Sequence, residues 1–371
     1  MVEKVRTIIV DLSKRFGGAS TRTITLARGL KSWGVAICGL ADSPVVEMAK
    51  KNGIPVVEVG RSRLNPLIPF RLASYIRKGK YQLLDTQNIQ SKFWGSIAAL
   101  LSNSTLVSTL NSWYVSEHGG KVRGRIYTAI DLYVNWKTKR YIVVSETVRN
   151  ELSSSGIAKD NIDLIRNAVE IKNSFVLTRS GFRKELGIPN DAVIAVAVGR
   201  LVRVKGFDNF ISAVARVAET DSNVFAIIIG GGALFNSLNN QIKKLGLSKR
   251  IFLLGFQARD EVLNILHCCD IFVMPSRSEA SPFALLEAAA LGLPIIATNC
   301  GGIPEIVVDK KEALLVPADD VISLASALGN LIENQNMADT LGNNAMKRIQ
   351  QEYSVSYQIA ATKRSYLKAM K

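Results

Sequence analysis

The segment DIFVMPSRSEASPFALLEAAALGLPIIATNCGGIPEIV, residues 270–307, decides the fold of this chain. Its first apolar run, Ile271–Met274, is bounded by Asp270 and Pro275 and reads as a strand buried on both faces. Ser281-Pro282 supplies an N-cap followed by proline at the first helical position, so a helix is expected from Pro282 to about Leu291. Gly292 and Pro294 end it. Pro294–Thr298 is a second strand, and Cys300-Gly301-Gly302 opens a glycine loop behind it. Strand, helix and strand in this order form the right-handed crossover of a parallel sheet.

The same alternation runs outward in both directions. Before the segment, strands are expected at Val5–Val10, Val35–Leu40, Pro55–Val59, Leu83–Asp85, Leu106–Thr109, Tyr141–Val144, Asp163–Ile165, Val193–Val198, Val224–Ile229 and Ile251–Leu254. Helical patterns at Thr21–Trp33, Phe70–Lys78, Lys92–Leu101, Asn209–Glu219 and Glu261–Leu266 lie between them. The pattern restarts near residue 190, after the polar, turn-rich stretch 172–191. Two Rossmann-like α/β domains follow, 1–175 and 176–352, with a last amphipathic helix in 353–371 expected to return to the first domain. In open α/β sheets ligands bind beyond the carboxyl ends of the strands, so a cleft between the two domains is the expected site.

Composition narrows the function classes. No run of about 18 uncharged apolar residues exists, and the apolar start that ends in Asp11 reads as a strand rather than a leader. Cys38, Cys268, Cys269 and Cys300 fit neither a disulfide framework nor a zinc site, so free thiols in a reduced cytoplasmic setting are expected. The net charge of +16 is uneven. Residues 1–180 hold 27 Lys and Arg against 13 Asp and Glu, a surplus of 14, whereas the remainder holds 20 against 18. An acidic partner for the first half is one reading, and a solvated basic surface is the other. Basic clusters such as Arg61/Arg63, Arg77/Lys78/Lys80, Lys121/Arg123/Arg125 and Lys137/Lys139/Arg140 occur with Trp113, Tyr114, Tyr127, Tyr133 and Trp136. They favour a peripheral position on an anionic membrane face. No nucleic-acid module or basic-aromatic stripe is present.

The residue types that carry chemistry sit at strand ends. Gly17-Gly18-Ala19-Ser20 follows the first strand and opens a helix, where glycine permits either a tight turn or an approach to an anion. Arg200 and Lys205 follow Val193–Val198, and two cations there suit a diphosphate. Gly230-Gly231-Gly232 follows Val224–Ile229 and reads as a flexible turn or as packing against a flat ligand. Glu279 lies in the loop before the Pro282 helix. Glu287 lies inside that apolar helix, where a lone carboxylate is costly unless it is paired or accepts bonds from hydroxyls. No Asp-x-Asp motif or His/Cys cluster calls for a metal.

Taken together, VGRLVRVKGFDNFI (198–211), IIIGGGAL (227–234), IFLLGF (251–256), residues 270–298 and GGIPEIV (301–307) resemble the retaining glycosyltransferases of the GT-B fold, family 4 or group 1. The first half resembles them more loosely, through GGAS (17–20), YIVVSETVRNEL (141–152) and RNAVE (166–170). The resemblance implies that Arg200 and Lys205 clamp a donor diphosphate, that Glu287 holds the donor ribose and that Glu279 stands near the sugar. Ala284 and Leu285 then present helix-start amides to the phosphate, and Gly17, Gly18, Gly231, Phe256, Ser281 and Phe283 line the donor. Asn111 replaces the histidine usual in the family's first-domain segment, and the nearby His118 is the alternative. The segment EASP (279–282) replaces the usual EGFG.

The expected activity is transfer of a hexose from a UDP- or GDP-sugar to a hydroxyl acceptor, with retention and without a metal. The acceptor is expected to be a glycan or a lipid-linked species of polysaccharide, lipopolysaccharide or glycolipid synthesis. A sugar-nucleotide epimerase of the same fold would carry more titratable groups than two histidines allow. A decayed binding protein would not keep Arg200, Lys205, Glu279 and Glu287 together.

Overall fold

The structure, a computed structural model, describes residues 4–14, 16–111, 137–170, 174–221 and 223–371. His118, the Lys121/Arg123/Arg125 cluster and the aromatic residues at 113, 114, 127, 133 and 136 lie outside them. The chain forms two compact units, Met1–Ala168 with Val355–Lys371, and Val169–Ser354.

The first unit holds a parallel sheet of β1 (Thr7–Val10), β2 (Ala36–Gly39), β3 (Val56–Glu58), β4 (Leu83–Thr86), β5 (Thr105–Leu110), β6 (Thr138–Val143) and β7 (Ile162–Leu164). Their order is β3-β2-β1-β4-β5-β6-β7, so the direction of winding reverses between β1 and β4. The second unit holds β8 (Val193–Val198), β9 (Val224–Ile229), β10 (Ile251–Gly255), β11 (Ile271–Met274), β12 (Ile295–Thr298) and β13 (Leu314–Val316) in the order β10-β9-β8-β11-β12-β13. It reverses between β8 and β11. Strands such as VIAVAV and VFAIII are buried on both faces because helices cover each sheet on two sides. Each fully buried Val or Ile contributes roughly 1.5–3 kcal/mol.

Three boundaries differ from the sequence expectation. Of the stretch 172–191, the described part, 174–191, is less a linker than a part of the second unit. Thr178 caps a helix at Arg179–Leu186, which Gly187 ends in the left-handed region, and Phe182 enters the second core. Arg183 is buried there, donating to Pro189 O at 3.0 Å and to Asp270 Oδ2 at 2.7 Å. The division between units falls at 168/169 rather than 175/176, because Val169 N–H donates to Tyr353 O at 3.2 Å and its side chain joins the second core. The three-residue strand β13 was not expected, since LLV is too short to show a period.

The last helix, Val355–Met370, packs in the first unit against the helix Gly18–Gly29 and the strands β5 and β6. Polar contacts fix it. Tyr366 donates to Asp85 Oδ2 at 2.6 Å, Ser365 to Asp163 Oδ2 at 2.7 Å and Gln358 to Arg166 O at 2.9 Å. Asp85 and Arg22 are both wholly buried. Arg22 Nη1 donates to Ile165 O at 3.1 Å and Asn167 Oδ1 at 3.1 Å. Burial lowers the Arg22 guanidinium to about 10, with Asp85 opposing that shift.

Burial also raises Asp85 to about 6, against donors from Tyr366 and Thr109 and the charge of Arg22. Between about pH 4 and 6 the folded state keeps a proton that the unfolded chain has released, so burying this carboxylate costs stability above that window and not below it. Asp85→Asn lacks this dependence. The difference in unfolding free energy between wild type and Asp85→Asn is therefore expected to move in favour of the wild type by about 2–3 kcal/mol from pH 7 to 4. Denaturant titrations at both pH values measure it, and an unchanged difference would rule out the raised carboxylate.

Candidate functional site

In the second unit the expected site residues cluster where the sheet reverses direction. Arg200 and Lys205 follow β8, and Glu279 follows β11, the neighbouring strand. This is where an open α/β sheet leaves room for a ligand. Arg200 stands exposed at the strand end. Lys205, at the end of a short turn of 3-10 helix Arg203–Lys205, forms an ion pair with Glu279 Oε1. Ser276 Oγ donates to the same oxygen at 2.9 Å. Both partners of the ion pair are largely buried.

The backbone around Glu279 is fixed as tightly as its side chain. Gly302 N–H donates to Glu279 O at 2.8 Å. Gly301 lies at φ +53°, and a Cβ there would stand 1.9 Å from that carbonyl oxygen. Cys300 Sγ reaches Ser276 O at 3.2 Å. The glycine pair therefore allows a close approach to the backbone of the Glu279 loop.

The glycines of Gly230-Gly231-Gly232 divide between two roles. Gly230, at φ +151°, would place a Cβ 1.8 Å from Gly199 O, and Gly232 would place one 2.4 Å from Leu201 O. These two glycines let the loops after β8 and β9 stack. Gly231 differs, because its nearest neighbour is Phe256 Cβ at 3.5 Å. Phe256 is 71% exposed, so an aromatic side chain and a residue without one lie together beyond the ends of β9 and β10.

The helix of the 270–307 segment runs Phe283–Ala290. Its N-cap is Pro282, at φ −73° and ψ 121°, and no side chain caps it. Ser281 was expected in that role; the extended backbone at Pro282 moves the start one residue on, and the Ser281 side chain does not reach the helix amides. Ala284 and Leu285 occupy the first turn, with Leu285 wholly buried. Glu287 is buried in this helix and paired with Arg259 Nε at 2.7 Å. Burial raises the Glu287 carboxyl, and Arg259 opposes the shift. Arg259 opens the helix Arg259–His267, 28 residues earlier in the chain.

Residues that the sequence did not single out hold this region. Arg277 donates to both carboxylate oxygens of Asp208, at 3.0 and 2.8 Å, and from Nε to Asp319 at 2.7 Å. Its N–H donates to Val204 O at 2.7 Å, so the loop after β11 is bolted to the turn that carries Lys205. Ser276 had a local signal in its S-x-x-E spacing to Glu279. Arg277 and Arg259 had none, since their partners lie far away in sequence.

In the first unit, Gly17 is the N-cap of the helix Gly18–Gly29, with nothing within 4 Å of the place a Cβ would take. Ser20 donates to Asp11 Oδ2 at 2.9 Å, while Ser13 N–H and Asn88 Nδ2 reach Oδ1 at 3.0 and 2.8 Å. Asp11 thus orders the GGAS loop. Asn111, at the end of β5, turns its amide nitrogen onto Gln87 O at 3.0 Å and Gln87 Oε1 at 3.3 Å. Among the described residues no group of three His, Cys, Asp or Glu side chains is placed to hold a metal, and no helix is long and apolar enough to cross a membrane.

Known proteins match this arrangement along the chain. The family model "Glycosyl transferases group 1" matches residues 178–348, and the model "Glycosyltransferase Family 4" matches residues 16–173. A UDP-Gal:alpha-D-GlcNAc-diphosphoundecaprenol alpha-1,3-galactosyltransferase of Escherichia coli is 27% identical over 80% of this chain and 78% of its own. A glycosyltransferase of Methanocaldococcus jannaschii is 30% identical over 67% of this chain and 66% of its own. The crystal structure of HepE from Anabaena in complex with UDP-glucose has the same fold, with a TM-score of 0.87 at 23% identity over 98% of this chain and 99% of that one. Two parallel sheets that reverse direction where these motifs lie are those of the GT-B fold, and the chain belongs to the group 1, family 4 glycosyltransferases.

Proposed function

We propose that this enzyme transfers a hexose from a UDP- or GDP-sugar to the hydroxyl of a glycan or lipid-linked acceptor, with retention of configuration. The observation that carries this reading is the meeting of Arg200, Lys205, Glu279 and the start of the helix Phe283–Ala290 around one switch point. HepE is seen with UDP-glucose, and the Escherichia coli relative is named for UDP-Gal and a diphosphoundecaprenol acceptor. Both names favour a uridine diphosphate donor, and the second favours a lipid-linked acceptor.

The chemistry follows from charge. As the bond to the sugar breaks, the departing nucleoside diphosphate gains negative charge. Arg200 and Lys205 supply fixed positive charge where it develops, and the first amides of the helix at Phe283 and Ala284 add partial charge. Lys205 is held by Glu279 before any donor arrives, so it need not be ordered during the reaction. Glu279 in turn accepts from the hydroxyls of the sugar in this reading. Glu287 accepts from the ribose hydroxyls while Arg259 supports its charge. Phe256 beside Gly231 offers a face for the base. In the first unit, Gly17, Gly18 and Asn111 serve the sugar and the acceptor hydroxyl, where an amide can hydrogen-bond but not titrate.

Calorimetry with UDP-sugars tests the donor assignment. Glu287→Ala and Arg200→Ala are each expected to lower affinity by about tenfold or more while circular dichroism stays that of the wild type. Unchanged affinity in both would overturn the assignment. Release of nucleotide from a panel of UDP-, GDP- and ADP-sugars, with and without lipid extract, identifies the donor.

With cations and helix amides neutralising the diphosphate, turnover is expected to persist in EDTA. Loss of activity in EDTA that Mg²⁺ or Mn²⁺ restores would show that a metal takes this role.

A further inference from the structure

The first unit exposes an apolar surface whose border, among the described residues, is predominantly basic. The helix Ile68–Gly79 turns Ile68, Leu72, Ala73 and Ile76 to the sheet, as an amphipathic helix should. Its outward side carries Phe70, 60% exposed, and the loop before it carries Leu64, 79% exposed, and Leu67. The neighbouring helix, Ile89–Ser102, buries Ser91, Gly95, Ala98 and Ala99 and presents Phe93, Ile97 and Leu100 at i, i+4 and i+7 on the other side. An outward stripe without a charged residue is unusual for a helix facing water.

The two helices pack side by side, which joins their outer faces. Trp94 Nε1 donates to Arg63 O at 2.7 Å, fixing the loop that carries Leu64 beside the start of the second helix. Trp94 meets Phe93 edge to face at 4.6 Å. At the far end Arg77 donates to Leu101 O.

Among the described residues the charge around this surface is mostly positive. Between Glu58 and Asn111 the only acid is Asp85, which is wholly buried beneath the sheet layer. Arg61, Arg63, Arg71, Arg77, Lys78 and Lys80 are all exposed. Among the described residues only Arg61 has an acidic neighbour, Asp42 at 3.4 Å, and both are so exposed that the pair contributes little.

We propose that the surface formed by the 61–67 loop and the outer faces of Ile68–Gly79 and Ile89–Ser102 docks on an anionic lipid leaflet. Leu64, Leu67 and Phe70 enter the headgroup region, while the flanking arginines and lysines meet the lipid phosphates. The docking site rests on the lipid-linked acceptor reading for its purpose, and on these residues for its place. Charge complementarity chooses the occupant. A second copy would bring the same cations face to face, and a purely apolar partner would leave them unmatched. Apolar contact alone, or charge alone, holds a protein on a bilayer weakly, whereas the two together do so reversibly without a spanning helix.

Flotation of the whole protein with phosphatidylcholine vesicles, with and without 30 mol% phosphatidylglycerol, tests the site. Binding is expected only with phosphatidylglycerol and should fall as NaCl rises from about 0.1 to 0.5 M, since screening shortens with salt. Leu64→Ser/Phe70→Ser and Arg63→Gln/Lys78→Gln are each expected to weaken it by about tenfold. Ile322→Ser, an exposed apolar change in the second unit, should leave it intact. Affinity for a UDP-sugar, measured without lipid, should be the same in all of these variants. Equal recovery with both vesicles, recovery with neither, or variants that float like the wild type would overturn the docking site. So would a dimer in sedimentation velocity that Leu64→Ser/Phe70→Ser dissociates when no lipid binding occurs. Intact UDP-sugar binding in any of these cases leaves the donor reading standing.

Discussion

The contact between the carbonyl of Glu279 and the glycine pair behind β12 fixes the geometry on which the rest of the second unit depends. Gly301 can approach to where a Cβ would be 1.9 Å away, and Gly302 N–H then closes a 2.8 Å hydrogen bond. That contact sets the height of the loop after β11. The loop carries Ser276, Arg277 and Glu279, and through them the turn with Lys205 and the helix start at Phe283. Any side chain at 301 must push this loop outward, and the residues with it, because the obstructing atom is backbone and cannot rotate away.

The ion pairs of this unit should be understood as positioning rather than as sources of stability. Removing two charges from water costs nearly what their attraction returns. Glu287 shows the balance, since burial raises its carboxyl and Arg259 pulls it back. Lys205 with Glu279, and Arg277 with Asp208 and Asp319, each tie one loop to another at a defined distance. Such pairs add little to folding but hold charged groups in place before a ligand arrives, so ligand binding need not order them.

Much of this was legible in the sequence because it is local. Periodicity and punctuation placed twelve of the thirteen strands, and the strand-end positions of Arg200, Lys205 and Glu279 follow from them. What escaped was non-local. A buried glutamate in an apolar helix announces that it needs a partner, but not that the partner is Arg259, 28 residues away. Glycines after a strand announce close approach, but not whether the approaching group is a ligand or another loop. For Gly230 and Gly301 it is a loop, and the sterics are those of backbone oxygen. The cap at Pro282 in place of Ser281 is a matter of one ψ angle, which residue type does not determine. The stretch 172–191 looks like a linker because it is polar, yet Phe182 and Arg183 anchor it, one through the core and one through Asp270.

The two sheets share a winding pattern but not a chemistry. At the switch point of the first, hydroxyls and amides surround Asp11, and the side chain of Asn111 lies on Gln87. Neutral donors and acceptors of this kind suit hydroxyl groups, which both give and take a hydrogen bond. At the switch point of the second, two cations and a helix start converge, which suits an anion. A transferase of this family needs both kinds of site, because its reaction joins a hydroxyl to a carbon that a diphosphate is leaving. One fold used twice carries different residues beyond its strand ends, while the apolar strands beneath them keep the same role in each sheet.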